Sequence, residues 1–210
     1  GTTALTTLTP GSVTSALAST TAPAGDAGTI VRLGSNENNR GPGAKALEAM
    51  HGAIGRGNGK GYPPDNVNEL VDAIAAAWQV NRTSVIAGTG SGPILEGSVR
   101  AFCAADKPLV TAAPTYGTPE NMAKRLGVPV RSVLVDKATL QLDLDAMAAA
   151  SKGAGLVYIC NPNNPTGLAR SAADVERFVR RVKADSPSTT ILIDEAYIDY
   201  VEGAPEAGVI

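Results

Sequence analysis

From about Val31 onward the chain alternates short apolar runs with amphipathic stretches, and this alternation restricts the fold more than any other feature. Residues 84–87, 109–112, 130–135, 156–160 and 190–193 are predicted strands. Before the first of them, Val67, Leu70, Val71, Ile74 and Trp78 recur at helical spacing and predict a helix with one buried face. Residues 94–104 predict the next helix, with Pro93 at a first-turn position where its missing N–H costs nothing. Thr118 is expected to cap a third helix, with Pro119 in its first turn and Gly127 as its stop. A short helix is expected over 144–150. The last helix opens with Ser171-Ala-Ala-Asp174, a capping-box spacing, and then places Val175, Phe178, Val179 and Val182 on one face. Strands joined through helices pair in parallel, so the expected class is α/β, a mainly parallel sheet with helices on both faces. Ligands of such sheets collect beyond the C-terminal ends of the strands. The unusual polar segments of this chain fall at those ends.

Composition removes several classes of function. Apolar residues make up 43% of the 210, enough for a core, but aromatics are only 4%, so Ala, Val, Leu and Ile must build it. A net charge of −2 gives no sign of a surface for nucleic acid or anionic membrane. No apolar run approaches the ~20 residues that cross a bilayer. Cys103 and Cys160 lie in apolar runs outside any metal-ligand spacing and are expected as reduced core thiols. His51, the only histidine, has no nearby partner and is expected to be structural or on the surface. A lone His and no usable cysteine pair argue against a zinc site and against a Ser-His-Asp hydrolase. Residues 2–28, rich in Thr, Ala and Ser and almost uncharged, read as a flexible lead-in. Their small-residue runs also suit the tail of an export signal. Gly1 is not a natural start, and Ile210 falls within a strand–helix repeat, so truncation is expected at both ends.

Three segments carry chemistry. In Gly88-Thr89-Gly90-Ser91-Gly92 the glycines let backbone N–H groups converge, and the following helix points its positive end at the same place, which makes an anion site. No Gly-Lys-Ser/Thr follows, so it is not a P-loop. Pro93 occupies the place where the dinucleotide pattern needs its last glycine. Alone, the segment also suits a plain strand-to-helix turn. Asn161-Pro-Asn-Asn-Pro-Thr-Gly167 is a rigid loop, because each proline restricts its predecessor to extended backbone. Three asparagines exceed what a turn requires, which suggests amides held out for a ligand. Asp194-Glu195-Ala196-Tyr197 sends a carboxylate out of a buried strand, costly unless a cation or donors meet it; an N-cap or structural ion pair also fits. Tyr116 in Pro114-Thr115-Tyr116 and Tyr62 in Gly61-Tyr-Pro-Pro-Asp65 are, alone, packed aromatics.

In their order and spacing these motifs resemble those of fold-type I pyridoxal-phosphate enzymes. The chain resembles class I/II aminotransferases, nearest to the histidinol-phosphate aminotransferase branch, from about Leu33, in Ser35-Asn-Glu-Asn38, to Tyr200. The resemblance implies the fold-type I large domain over 61–210 in its first part, with 29–60 as an N-terminal arm and small-domain contribution. It implies that Gly90, Ser91 and Gly92 hold the phosphate of pyridoxal 5'-phosphate, that Tyr116 stacks on the ring, and that Asn164 and Tyr197 hydrogen-bond the ring hydroxyl oxygen. Asp194 would pair with the pyridine nitrogen. Tyr62 would reach the cofactor phosphate of a second subunit, which makes the protein a homodimer, and Asn36 would lie near substrate. The implied reaction passes an amino group between an amino acid or amino-alcohol phosphate and a 2-oxo acid, in the cytoplasm, with no nucleic-acid or membrane partner. Two motifs depart from the family: Ser91-Gly92-Pro93 stands where Ser-Asp-Glu is usual, and Asn36-Glu37-Asn38-Asn39 where Asn-Glu-Asn-Pro is. The family's Schiff-base lysine, in a Ser-Lys motif, has no counterpart among Lys45, Lys60, Lys107, Lys124, Lys137, Lys152 and Lys183. No catalytic lysine is therefore assigned, and the expected place for it is beyond Ile210. The alternatives are a half-length ligand-binding protein without catalysis, and a pyridoxal-phosphate decarboxylase of the same fold.

Overall fold

The run Leu156–Cys160 is apolar at every position, as expected of a strand covered on both faces, and in the computed structural model it is buried throughout. The structure describes residues 34–38, 41–55 and 67–203, within two compact units, Gly1–Pro64 and Asp65–Ile210. The first unit contains helix α1 (Ala44–Gly55), which exposes Leu47, Met50 and Ile54 along one stripe and carries His51 on its surface.

The second unit runs α2 (Asn68–Trp78), a 3-10 turn (Arg82–Ser84), α3 (Gly92–Phe102), β1 (Leu109–Ala113), α4 (Thr118–Arg125), β2 (Val130–Leu134), α5 (Leu144–Ala150), β3 (Leu156–Cys160), α6 (Ala172–Asp185), β4 (Thr190–Asp194) and a 3-10 turn (Ile198–Tyr200). The strands form one parallel sheet in the order β2-β1-β3-β4. Alternation along the strands sorts two cores. Val110, Ala112, Val157 and Ile159 face α5 and α6 and pack with Met147, Phe178 and Val182. Leu109, Leu156, Tyr158 and Cys160 face α3 and α4 and pack with Leu95, Val99 and Met122. At the start of β3 only glycine fits, because a Cβ on Gly155 would stand 2.1 Å from the Phe102 carbonyl oxygen.

The caps follow the local chemistry. Ser171 Oγ accepts the Asp174 N–H at 3.1 Å. The Ser171 hydroxyl first, and then the Arg170 and Arg177 cations beside it, hold the Asp174 carboxyl below the usual range. Three expectations need correction. Thr118 is the first helical residue of α4 and Gly117 the N-cap, with no side-chain cap bond, because Pro119 serves the first turn from either register. Residues 84–87 form no strand: Ser84 closes a 3-10 turn and Ile86 is 81% exposed, since an apolar run becomes a strand only where another strand meets its backbone. The face of α2 is not fully buried. Val71 and Ala75 are covered, but Val67, Leu70 and Trp78 remain about half exposed, beside a groove of about 490 Å³ lined by Ile74, Trp78, Val85, Ile86, Ile193 and Ile198. Both cysteines are free thiols; burial lifts Cys103 to about 11. Among the described residues no helix is long and apolar enough to cross a membrane.

Candidate functional site

The loop after β3 is held by its own asparagines. Asn161 accepts the Arg170 N–H at 2.7 Å and donates to the Arg170 carbonyl at 3.1 Å, closing the loop across its base. Its backbone N–H donates to the Asp194 carbonyl at 2.9 Å and so joins the tips of β3 and β4. Asn163, 1% exposed, donates to the Pro114 carbonyl and to Thr166 Oγ1, both at 3.1 Å, and accepts from Thr115 Oγ1 at 2.7 Å. That amide ties the tip of β1, and with it the Tyr116 segment, to the tip of β3. Gly167, at φ +71°, makes the exit turn that lets its N–H reach the Asn163 carbonyl at 2.7 Å. Two of the three asparagines are therefore struts. Only Asn164, half-buried, turns to the site, where its Nδ2 donates to Tyr197 Oη at 3.4 Å.

Asp194 ends β4 at 8% exposure. Its Oδ1 accepts the Ala196 N–H at 3.1 Å, and its Oδ2 accepts from Tyr158 Oη at 3.0 Å. Tyr158 is fully buried on β3, two residues before the register partner of Asp194, Cys160. Burial first, and then its neighbours Cys160 and Asp194, push the Tyr158 phenol far above its ordinary value, so the hydroxyl stays a donor. Among the described residues Asp194 makes no ion pair. The motif reading missed Tyr158, although a hydroxyl inside an otherwise aliphatic strand must find a partner.

The glycine turn lies on the same side of the sheet. Leu192 packs with the core under α3, and Asp194, two residues on, shares its face. Leu95, one turn into α3, packs with Tyr158 and Cys160, so the start of that helix overlies β3. Gly90 takes φ +79°, and a Cβ on Gly90 or Gly92 would meet nothing within 4 Å. Ser91 is the N-cap but makes no side-chain cap bond, and the first-turn N–H groups have no intrahelical acceptor. Tyr116, 39% exposed, follows the Pro114-Thr115 tip. The β1, β3 and β4 tips thus gather Tyr116, Asn164, Asp194 and Tyr197, with Gly90, Ser91 and Gly92 above the same face. Asn36, at φ +52°, belongs to the first unit. Tyr62 lies outside the described residues.

This donor set fits a phosphorylated pyridine: a buried carboxylate without a cation, a paired amide and phenol, an exposed aromatic face and a helix start. Four of the described lysines are placed elsewhere or engaged. Lys107, Lys152 and Lys183 precede β1, β3 and β4 at the other end of the sheet, and Lys124 is ion-paired with Glu120 at 2.6 Å. A larger cavity, about 640 Å³, lies between the loop before α5 and the outer side of α6. Its lining is charge-balanced, with ion pairs such as Arg181–Asp145 at 2.6 Å and Arg170–Asp174 at 3.5 Å, while Gln141 Oε1 and Arg170 Nε are buried there without a hydrogen-bond partner. No cluster able to hold a metal occurs among the described residues.

Residues 28–210 match the family model for aminotransferase class I and II. The chain is 35% identical over 179 residues to a histidinol-phosphate aminotransferase of Limosilactobacillus fermentum, covering 85% of this chain and 49% of that protein. It is 36% identical to one from Bacillus subtilis, covering 84% and 48%. Among solved structures, the histidinol-phosphate aminotransferase of Sinorhizobium meliloti in complex with pyridoxal-5'-phosphate superposes with a TM-score of 0.73 at 27% identity, covering 83% of this chain and 45% of that one. An L-threonine-O-3-phosphate decarboxylase of Porphyromonas gingivalis, at 19% identity and TM-score 0.61, shares the fold. The chain spans about half the length of the curated relatives it matches.

Proposed function

The chain belongs to the aminotransferase class I and II family, and from that premise we propose that the β1, β3 and β4 tips form most of a pyridoxal-phosphate pocket serving amino transfer of the histidinol-phosphate type. The observation that carries this is Asp194, a carboxylate at 8% exposure held by two neutral donors and paired with no cation among the described residues. Burying a carboxylate in that state is costly unless a ligand supplies positive charge. A protonated pyridine nitrogen does so, and the carboxylate in turn favours the protonated ring. Pyridoxal phosphate, when bound, supplies an electron sink for charge developing at the substrate Cα. Around it the residues bind and orient. Asn164 and Tyr197 offer an amide and a phenol to the ring hydroxyl oxygen, and Tyr116 offers an aromatic face. The backbone of Gly90–Gly92 and the positive end of α3 hold the phosphate. Tyr62 completing the pocket of a second subunit, and Asn36 lying near substrate, belong to the same proposal.

The test is amino transfer from histidinol phosphate to a 2-oxo acid by the intact enzyme and by its Asp194→Ala variant. A charge-assisted hydrogen bond of this kind is worth about 1.5–3 kcal/mol, so turnover is expected to fall by about 10- to 100-fold. Near-normal turnover in the variant removes Asp194 from the site. Cofactor binding with carbon dioxide release would instead point to the decarboxylase, and binding without turnover to a ligand-binding protein.

A further inference from the structure

We infer that Tyr158 is the positioning residue of the pocket: it orients the Asp194 carboxylate toward the ring nitrogen of the bound cofactor from inside the sheet, without touching the cofactor. The inference rests on the pocket proposed above and assigns a role to a residue that none of its motifs contains.

A carboxylate can rotate about its Cβ–Cγ bond, and it offers about four lone-pair sites to donors. Here one donor grips each oxygen. The backbone N–H of Ala196 takes Oδ1 at 3.1 Å, and the hydroxyl of Tyr158 takes Oδ2 at 3.0 Å. With one donor on each oxygen from fixed backbone and a fixed ring, the plane of the carboxylate is set, and about two lone-pair sites remain for a ligand. The Tyr158 ring cannot swing away, because it is fully buried among Leu95, Leu156, Cys160 and Leu192. Its hydroxyl is also a dependable donor, since burial holds the phenol protonated across the working range of pH. The parallel register explains why this strand position serves. Cys160 lies opposite Asp194 and Tyr158 opposite Leu192, so a long side chain at 158 rises along the sheet face to the β4 tip. A Phe there would fill nearly the same volume but leave Oδ2 without its buried donor, free to turn from the ring nitrogen.

The discriminating experiment compares two ligands on the intact protein by calorimetry. One is pyridoxamine phosphate, which needs no covalent link; the other is its 1-deaza analogue, in which a C–H replaces the ring nitrogen. The wild type is expected to prefer the natural ring. Tyr158→Phe is expected to shrink that preference about 3- to 10-fold while leaving affinity for the deaza ligand within about twofold, the coupling expected of residues in contact. A merely structural role would weaken both ligands in parallel, and that result overturns the inference. Asp194→Asn separates the two levels. A preference abolished by Asp194→Asn yet untouched by Tyr158→Phe refutes the role of Tyr158 alone. No preference in the wild type, with Asp194→Asn binding both ligands as the wild type does, sinks the pocket assignment and the inference together. Should Tyr158→Phe fail to fold, 3,5-difluorotyrosine placed at 158 keeps the ring and strengthens the donor. A change in preference of at least about twofold then supports the role, and a smaller one refutes it.

Discussion

The tips of β1, β3 and β4 and the margin beside α2 lie on either side of the same strand end, and they solve burial in opposite ways. At the tips the chemistry is polar and buried, and its groups are engaged with one another: Asn161 with Arg170, Asn163 with Pro114, Thr115 and Thr166, Asp194 with Tyr158 and Ala196. At the margin the exposed chemistry is apolar, and Ile86 at 81%, Leu70 at 51% and Trp78 at 49% exposure line or flank an open groove. Hydrogen bonds are directional and close pairwise, so a few residues can fix the shape of a polar tip. Apolar surface is stabilised only in proportion to the area removed from water, which requires a covering element. The difference teaches that the proposed pocket is shaped by this stretch of chain itself, whereas the margin is not.

Substitutions can break that contrast. Asn163→Ala should have the largest effect on stability, because it removes three side-chain hydrogen bonds at a buried position and strands the Pro114 carbonyl. Denaturant unfolding should register a loss of about 2–4 kcal/mol. A loss below about 1 kcal/mol would mean that the tips are held by something other than this amide. Cys103 at the end of α3, half-buried and remote from the tips, gives an intermediate case. Its thiol is raised from 9.0 to about 11, mainly by burial. The folded state therefore keeps a proton that the unfolded state has lost, so its contribution to stability is whole below pH 9 and fades as pH rises toward 11. Cys103→Ala should flatten that decline, measured as the midpoint of urea unfolding against pH; an unchanged slope would deny the effect. Ile86→Ser should change stability least, within about 0.5 kcal/mol by the same unfolding assay. A loss above about 1.5 kcal/mol would show that Ile86 is covered in solution and that the margin is not open.

Much of this was legible without coordinates, and the reasons are local. Leu156–Cys160 announces a fully covered strand because five consecutive apolar residues bounded by turn signals have few other solutions. Ser171 and Asp174 announce a helix start because the cap is made by atoms three residues apart. The loop motif was legible as a rigid tip, but the division of labour within it was not. That Asn163 is a strut and Asn164 faces the site depends on Thr115, 48 residues away, and on Tyr197, 33 residues away. Residues 84–87 show the converse, an apolar run whose strand character depends on a neighbour that no local pattern contains.

The sequence by itself determined the alternation of elements, the parallel sheet with its two helical layers, and the family to which its motifs belong, because each follows from periodicity or from residues close along the chain. Only the tertiary structure decided which polar groups meet. The register of β3 against β4 puts the hydroxyl of Tyr158 on the carboxylate of Asp194, and a shift by one residue would have turned that side chain into the opposite core.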